Sequence, residues 1–260
     1  MKSKPGTFLG LGLGIFSIFG AFLIEGGSFK ALFLIPPIII VFGGTFSAVI
    51  IGFGFEKFKE AILLIRLAYL PPVYELDKLI NTLIDFSIII RREGLLAVEK
   101  HITKIKYSFP QKLLRYIVDG ADSHTMENLA LLEIKTMEDR HFSNIQIFKK
   151  MGGYAPTMGI IGTVMGLIMT LANAGGNPDF LIHNIASAFI ATLWGIVSAN
   201  IFWLPIGDKL KQCHLEEKYM MEMSLEGILA LQSGEIPSTV KARLISMLPQ
   251  KEQGKVLYSW

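Results

Sequence analysis

The chain has 260 residues, of which 51% are hydrophobic and only 18% charged, and its mean hydropathy is +0.47. This composition is too apolar for an ordinary soluble domain of this length and points to membrane spans. The formal net charge of +3 follows from the Lys and Arg residues that flank those spans, and it gives no reason to expect a nucleic acid partner.

Four windows without Asp, Glu, Lys, Arg or His are long enough to cross a hydrocarbon core, which takes about 20 helical residues. They predict transmembrane helices from Pro5 to Ile24, Ala31 to Phe55, Met151 to Pro178 and Asn184 to Gly207. Most Lys and Arg residues lie between the second and third spans, and more lie in the tail, so both termini and the middle segment are predicted to be cytoplasmic. Cys213, the only cysteine, then lies in a reduced compartment.

The predicted fold is an all-α membrane protein, because no segment alternates with a period of two for long enough to indicate a strand. We predict four regions, namely transmembrane helices 1 and 2 (5–55), a cytoplasmic helical domain (56–150), transmembrane helices 3 and 4 (151–207) and cytoplasmic C-terminal helices (208–260).

The charged segments show helical patterns in chain order. A helix continues inward from the second span as far as Pro71 and Pro72. The next helix places one apolar stripe on its surface, formed by Leu76, Leu79, Ile80, Leu83 and Phe86. A long amphipathic helix leads into the third span. The fourth span continues into a helix that ends near Gly234, and Pro237 starts a last short helix.

The third and fourth spans each carry a narrow face of small and hydroxyl-bearing residues at helical steps of four, three and four. The faces consist of Gly159, Thr163, Gly166 and Thr170 in the third span, and of Ala188, Thr192, Gly195 and Ala199 in the fourth. Such faces indicate close helix packing. Alternatively, they line an ion path in which threonine hydroxyls replace water around a cation.

The spans contain no Asp, Glu, Lys, Arg or His, the groups through which intramembrane proton relays normally run, so the titrating group for proton conduction must come from a partner's helix. Pro156 and Pro205 lie near the cytoplasmic ends of the third and fourth spans. Each removes a backbone N–H and makes a helix easy to kink, so the two prolines either mark helix ends or form a hinge at the mouth of the path.

Several stretches resemble the MotA family, the larger stator subunit of the bacterial flagellar motor. The resemblance rests on "GGYAPTMGIIGTVMGL", "AFIATLWGIVSANIFWLPIGDKL" and "RREGLLAVE", with shorter matches in the same order, and it covers roughly residues 7 to 249. It implies a pentamer of this chain around a dimer of a MotB-type partner, whose single span supplies the essential aspartate. The third- and fourth-span faces, with Pro156 and Pro205, would then surround that aspartate in the bacterial inner membrane, with lipid outside.

The resemblance also implies a rotor contact in the cytoplasmic domain. Arg91, Arg92 and Glu99 lie in "RREGLLAVE", and Gly94 between them is expected to break the helix. In a generic helix these charges would be a solvated surface of little stabilising value. In the MotA family, residues at the positions of Arg91 and Glu99 engage opposite charges on the rotor's switch protein.

The expected function is therefore conversion of ion flow into torque, with no enzymatic activity, cofactor or resident metal. The translocated ion is H+ or Na+, and Thr163 favours Na+, since sodium-driven relatives tend to have threonine at this position. The alternative is an ion-driven energiser of the ExbB/TolQ type, although those proteins have three spans and lack "RREGLLAVE". The five histidines show no metal-ligand spacing.

Overall fold

The computed structural model describes residues 5–250 and residue 253, and in these residues every regular element is a helix. This confirms the predicted all-α fold. In chain order the helices are α1 (Pro5–Ile24), α2 (Ile35–Phe53), α3 (Phe55–Tyr69), α4 (Leu76–Glu93), a 3-10 helix (Leu95–Lys104), α5 (Ser108–Val118), α6 (Ser123–Ala172), α7 (Pro178–Gln232) and α8 (Pro237–Met247), with a short helical turn at Phe29–Leu32.

The chain packs into two compact units. The membrane unit comprises Met1–Pro72 and His141–Cys213, and the head unit comprises Val73–Arg140 and His214–Trp260. This division follows packing, whereas the four regions predicted from hydropathy describe position relative to the bilayer and stay a prediction. In the described part of the chain, four helices are long and apolar enough to cross a membrane, as predicted.

The second span differs from the prediction at both ends. Its helix begins at Ile35 rather than Ala31, because Leu34 is extended and the helix starts with Pro36 and Pro37 in its first turn. It ends at Phe53, because Gly54 adopts a φ of 84°. The prediction that this span continues without a break into the next helix is therefore wrong, and α3 starts anew at Phe55.

The long helices follow the prediction more closely. The amphipathic segment and the third span form one helix of 50 residues, which ends at Ala172. Asn177 caps the start of α7 by accepting a hydrogen bond from the backbone N–H of Asp179 at 2.9 Å, so this helix begins before the predicted fourth span. It continues to Gln232, as expected, and α8 starts at Pro237.

The membrane unit has a core of large side chains around Phe148, Met151 and Trp203. The indole N–H of Trp194 in α7 donates to the carbonyl of Leu32 at 2.7 Å, which fixes the segment between the first two spans against the fourth. No residue in the apolar window of α1 is buried, so much of the apolar surface of this helix is exposed in the single chain.

The head unit has a separate core, in which the predicted stripe of α4 is embedded. Leu79, Ile80, Leu83 and Phe86 are buried, and Leu76 packs at the edge of the same cluster. Apolar side chains from the other helices of the unit complete the core, among them Val98, Leu113, Leu114, Met126, Ile228 and Leu244. The unit therefore has the buried apolar side chains that a stable helical domain needs.

Candidate functional site

The small-residue faces of α6 and α7 meet each other within the chain. A methyl group placed on Gly159 would lie 2.8 Å from the carbonyl oxygen of Ala191, and one on Gly195 would lie 2.7 Å from the carbonyl oxygen of Ala155. On Gly166 it would lie 2.7 Å from the Cβ of Ala188. Glycine is needed at these three positions because the two backbones approach too closely for a larger residue.

This geometry corrects one part of the sequence interpretation. The resemblance implied that the third- and fourth-span faces surround the partner's aspartate, but at Gly159 and Gly166 the space beside α6 is filled by α7 of the same chain. Ala188 and Gly195 lie in the same contact, and the Cα of Pro156 would lie 3.2 Å from a methyl group on Gly195. Periodicity placed these residues on one face of each helix but could not say which neighbour covers that face.

Thr163 and Thr192 lie at the centre of this contact, and their hydroxyl groups are hydrogen-bonded to each other. The Thr163 hydroxyl also lies 3.0 Å from the carbonyl oxygen of Gly159 and 3.1 Å from that of Ala188. Each hydroxyl has one proton, so Thr163 can donate to only one of these oxygens at a time. The result is a cluster of oxygen atoms from two helices, half-buried in a span without charged residues.

Thr170 lies apart from this cluster. Its hydroxyl donates to the carbonyl of Gly166 at 2.9 Å, one turn back in its own helix. The structure therefore brings together two of the three predicted threonines, and Thr170 remains a predicted pathway residue without a hydrogen bond to α7 among the described residues.

Neither proline marks a helix end. Pro156 lies inside α6, which continues as an α-helix on both sides. Pro205 follows a wide π-helical segment, Ser198–Trp203, and such a segment accommodates the carbonyl groups that a proline leaves without a partner. Pro205 lines a groove of about 630 Å³ together with residues of α1 and α3. A hinge formed by the two prolines stays a prediction.

Asn184 was not among the site residues predicted from the sequence. It lies one turn before Ala188 on the same face of α7, and its backbone carbonyl would lie 3.2 Å from a methyl group on Gly166. The nitrogen of its side-chain amide is buried and has no hydrogen-bond partner among the described residues. The spacing of four residues from Ala188 was the signal that could have extended the predicted stripe to this amide.

The second candidate site is the charged tip of the head unit, residues 91–99. Arg91 and Arg92 occupy the last turn of α4, which ends at Glu93. Gly94 has a φ of 87°, and the 3-10 helix starts directly after it, so the predicted break is confirmed. Arg91, Arg92 and Glu99 are all exposed, and none forms an ion pair in the part of the chain that the structure describes. Their charges are available to another protein.

Comparisons with known proteins match this chain to one family. Residues 100–223 match the MotA/TolQ/ExbB proton channel family. Motility protein A of Bacillus subtilis (strain 168) is 34% identical over 250 residues, which cover 96% of this chain and 92% of that protein.

Two solved structures are similar over nearly the whole chain. One is the flagellar MotAB stator complex from Bacillus subtilis, with a TM-score of 0.89, 33% identity and coverage of 98% of this chain and 100% of that chain. The other is C. jejuni MotAB, with a TM-score of 0.89, 27% identity and coverage of 95% and 96%. Since both sequence and fold match over almost the full length, this chain belongs to the MotA family.

Proposed function

We propose that this chain is a flagellar motor stator subunit that forms a cation channel with a MotB-type partner and converts ion flow into torque on the rotor. The observation that carries the proposal is the Thr163–Thr192 hydroxyl pair, which joins two of four spans that contain no Asp, Glu, Lys, Arg or His. A polar cluster at this depth suits ion passage, but without a titrating group it cannot bind and release a proton by itself.

The missing acid comes from the partner in this proposal. A MotB-type subunit with one span and an essential aspartate would place that carboxylate beside the faces of α6 and α7. The solved relatives are MotAB assemblies, which supports the same pairing here. We further propose a pentamer of this chain around a partner dimer, with lipid against the exposed apolar surface of α1.

The translocated ion is a proton or a sodium ion. Na+ prefers several oxygen ligands, and the hydroxyl pair with the Gly159 and Ala188 carbonyls offers such a set once per subunit. Pro156, Thr170 and Pro205 are proposed to line the remainder of the path, with the termini and the head unit in the cytoplasm.

The tip of the head unit provides the rotor contact. Arg91, Arg92 and Glu99 are exposed and have no ion-pair partner among the described residues, so the rotor's switch protein can engage them through opposite charges. This tip, together with four spans and full-length similarity to motility proteins, favours a stator over an ExbB/TolQ-type energiser.

The test is complementation of a non-motile strain that lacks its stator genes. Expressed with its single-span, Asp-bearing partner, the chain should co-purify with that partner and restore swimming. Variants with the charge reversals Arg91→Glu or Glu99→Lys should still bind the partner but should generate no torque in tethered cells. If the reversed variants no longer bind the partner, these charges support the stator's own assembly and the rotor assignment is wrong.

A further inference from the structure

The tip carries an exposed apolar side chain between its charges. Leu96 is 67% exposed, which makes it the most exposed large apolar residue in the part of the head unit that the structure describes. A single exposed leucine needs no explanation on an ordinary surface. Leu96, however, lies between Arg92 and Glu99, in the segment to which the proposed function assigns the rotor contact.

The element that carries Leu96 is firmly held. Val98 and Ile102 of the 3-10 helix are buried in the core of the head unit, and this helix packs against α4. Leu96 and Glu99 are three residues apart in this helix and both are exposed, so they lie near each other on the surface of the unit. A partner that engages Glu99 must therefore also meet the side chain of Leu96.

The turn at Gly94 fixes this arrangement. Its φ of 87° and ψ of 169° belong to a region that only glycine adopts readily, and its N–H donates to the carbonyl of Ile90 at 2.9 Å. As a result, Arg91 and Arg92 lie in the last turn of α4, and Leu96 lies in the first turn of the 3-10 helix that follows. Little backbone conformational entropy is lost when a partner covers so constrained an element.

We infer that Leu96 is the apolar anchor of the rotor contact and inserts into an apolar depression on the rotor's switch protein, which carries charges opposite to Arg91 and Glu99 around its edge. This inference rests on the proposed function. Exposed charge pairs steer association and fix the register but contribute little affinity in water. A buried apolar side chain surrounded by polar residues is the common arrangement of an energetic hot spot.

The experiment measures binding of the purified, full-length stator complex to the switch protein at low and at high ionic strength. Leu96→Ala should raise the Kd about tenfold at both ionic strengths, because apolar contacts are not screened by salt. Leu96→Met, which keeps apolar volume, should bind within about twofold of the unmodified complex. Arg91→Ala should weaken binding mainly at low ionic strength.

Leu132 is the matched control, because it is 62% exposed and lies on α6 outside the tip. Leu132→Ala should bind the switch protein as the unmodified complex does. Normal binding by Leu96→Ala together with weakened binding by Arg91→Ala would overturn the anchor and leave the proposed function intact. Normal binding by Leu96→Ala and by Arg91→Ala would overturn both the apolar anchor and the proposed rotor contact. Loss of the single-span partner in Leu96→Ala would place this leucine inside the stator assembly and also overturn the anchor.

Discussion

Gly159 has only a hydrogen atom where α6 meets α7, and this position tests the contact most directly. A methyl group would lie 2.8 Å from the Ala191 carbonyl oxygen and 3.1 Å from the Cα of Thr192, so both close atoms belong to backbone that cannot rotate away. We expect Gly159→Ala to destabilise the assembled complex by about 1–3 kcal/mol, measured by thermal unfolding in detergent.

Gly153→Ala is the control for this substitution. Gly153 lies in the same helix, but nothing stands within 4 Å of a methyl group placed there. Alanine is the better helix former, so this variant should be as stable as the unmodified chain or slightly more stable. Equal stability of the two variants would mean that α6 and α7 do not pack in this way.

Thr163 separates a structural role from a role in ion passage. Thr163→Ala removes a hydroxyl and changes little volume, and a hydrogen bond between membrane helices contributes only about 0.6 kcal/mol on average, so assembly should persist. The expected effect is a changed dependence of swimming speed on sodium concentration. Because the Thr163 and Thr192 hydroxyl groups are hydrogen-bonded to each other, the double alanine variant should lose little more stability than either single variant.

Unchanged ion dependence of Thr163→Ala would instead identify the hydroxyl pair as a packing contact. The spacing of Thr163 and Thr192 along their helices was visible in the sequence, but their direct hydrogen bond was not. It depends on how far α6 is shifted along α7, and a one-dimensional pattern does not encode this register.

At the scale of elements, backbone breaks were predictable where a glycine or proline coincided with a change in pattern. Gly94 lies beyond the apolar stripe of α4, between charged residues, and its break was expected and found. Gly54 stands between two segments that both show a helical pattern, so the break at its φ of 84° was missed. The π-helical segments Ile39–Gly43 and Ser198–Trp203 were also missed, because their wider turns leave no signal in residue spacing.

The head unit contains an ion pair that ties α6 to α7. Lys218 and Glu138 lie 2.6 Å apart and are each about one-third exposed. The Lys218 ammonium holds the pKa of the Glu138 carboxyl below its ordinary value, mainly through their hydrogen bond, and Glu138 raises the pKa of Lys218 in turn. A lowered carboxyl pKa stabilises the fold above the ordinary carboxyl range, and this contribution is lost as the pH falls through the lowered pKa.

Lys218→Gln should therefore lower the stability of the chain near neutral pH and have no effect in acid. The expected loss is below about 1 kcal/mol, because both side chains remain partly solvated. Thermal unfolding at about pH 7 and about pH 3 measures this difference. Lys135→Gln is the control, since Lys135 is exposed on α6 and forms no ion pair with any described residue. A difference that persists in acid would show that Lys218 acts through packing.

At the scale of the whole chain, the distribution of ionisable residues decides what one subunit can do alone. The described membrane-spanning helices hold hydroxyl and amide groups near Thr163, Thr192 and Asn184, but Asp, Glu, Lys, Arg and His are absent from the predicted spans. A group that binds and releases a proton at this depth must be ionisable.

We therefore expect liposomes that contain this chain alone to conduct neither protons nor sodium ions above background, in a flux assay under an imposed membrane potential. The same assay with the co-assembled partner should show conduction, and replacing the partner's aspartate by asparagine should abolish it. Conduction by the chain alone, at a rate comparable to that of the complex, would contradict the proposal that the partner supplies the ionisable group. It would require an ion path built from hydroxyl and carbonyl oxygens only.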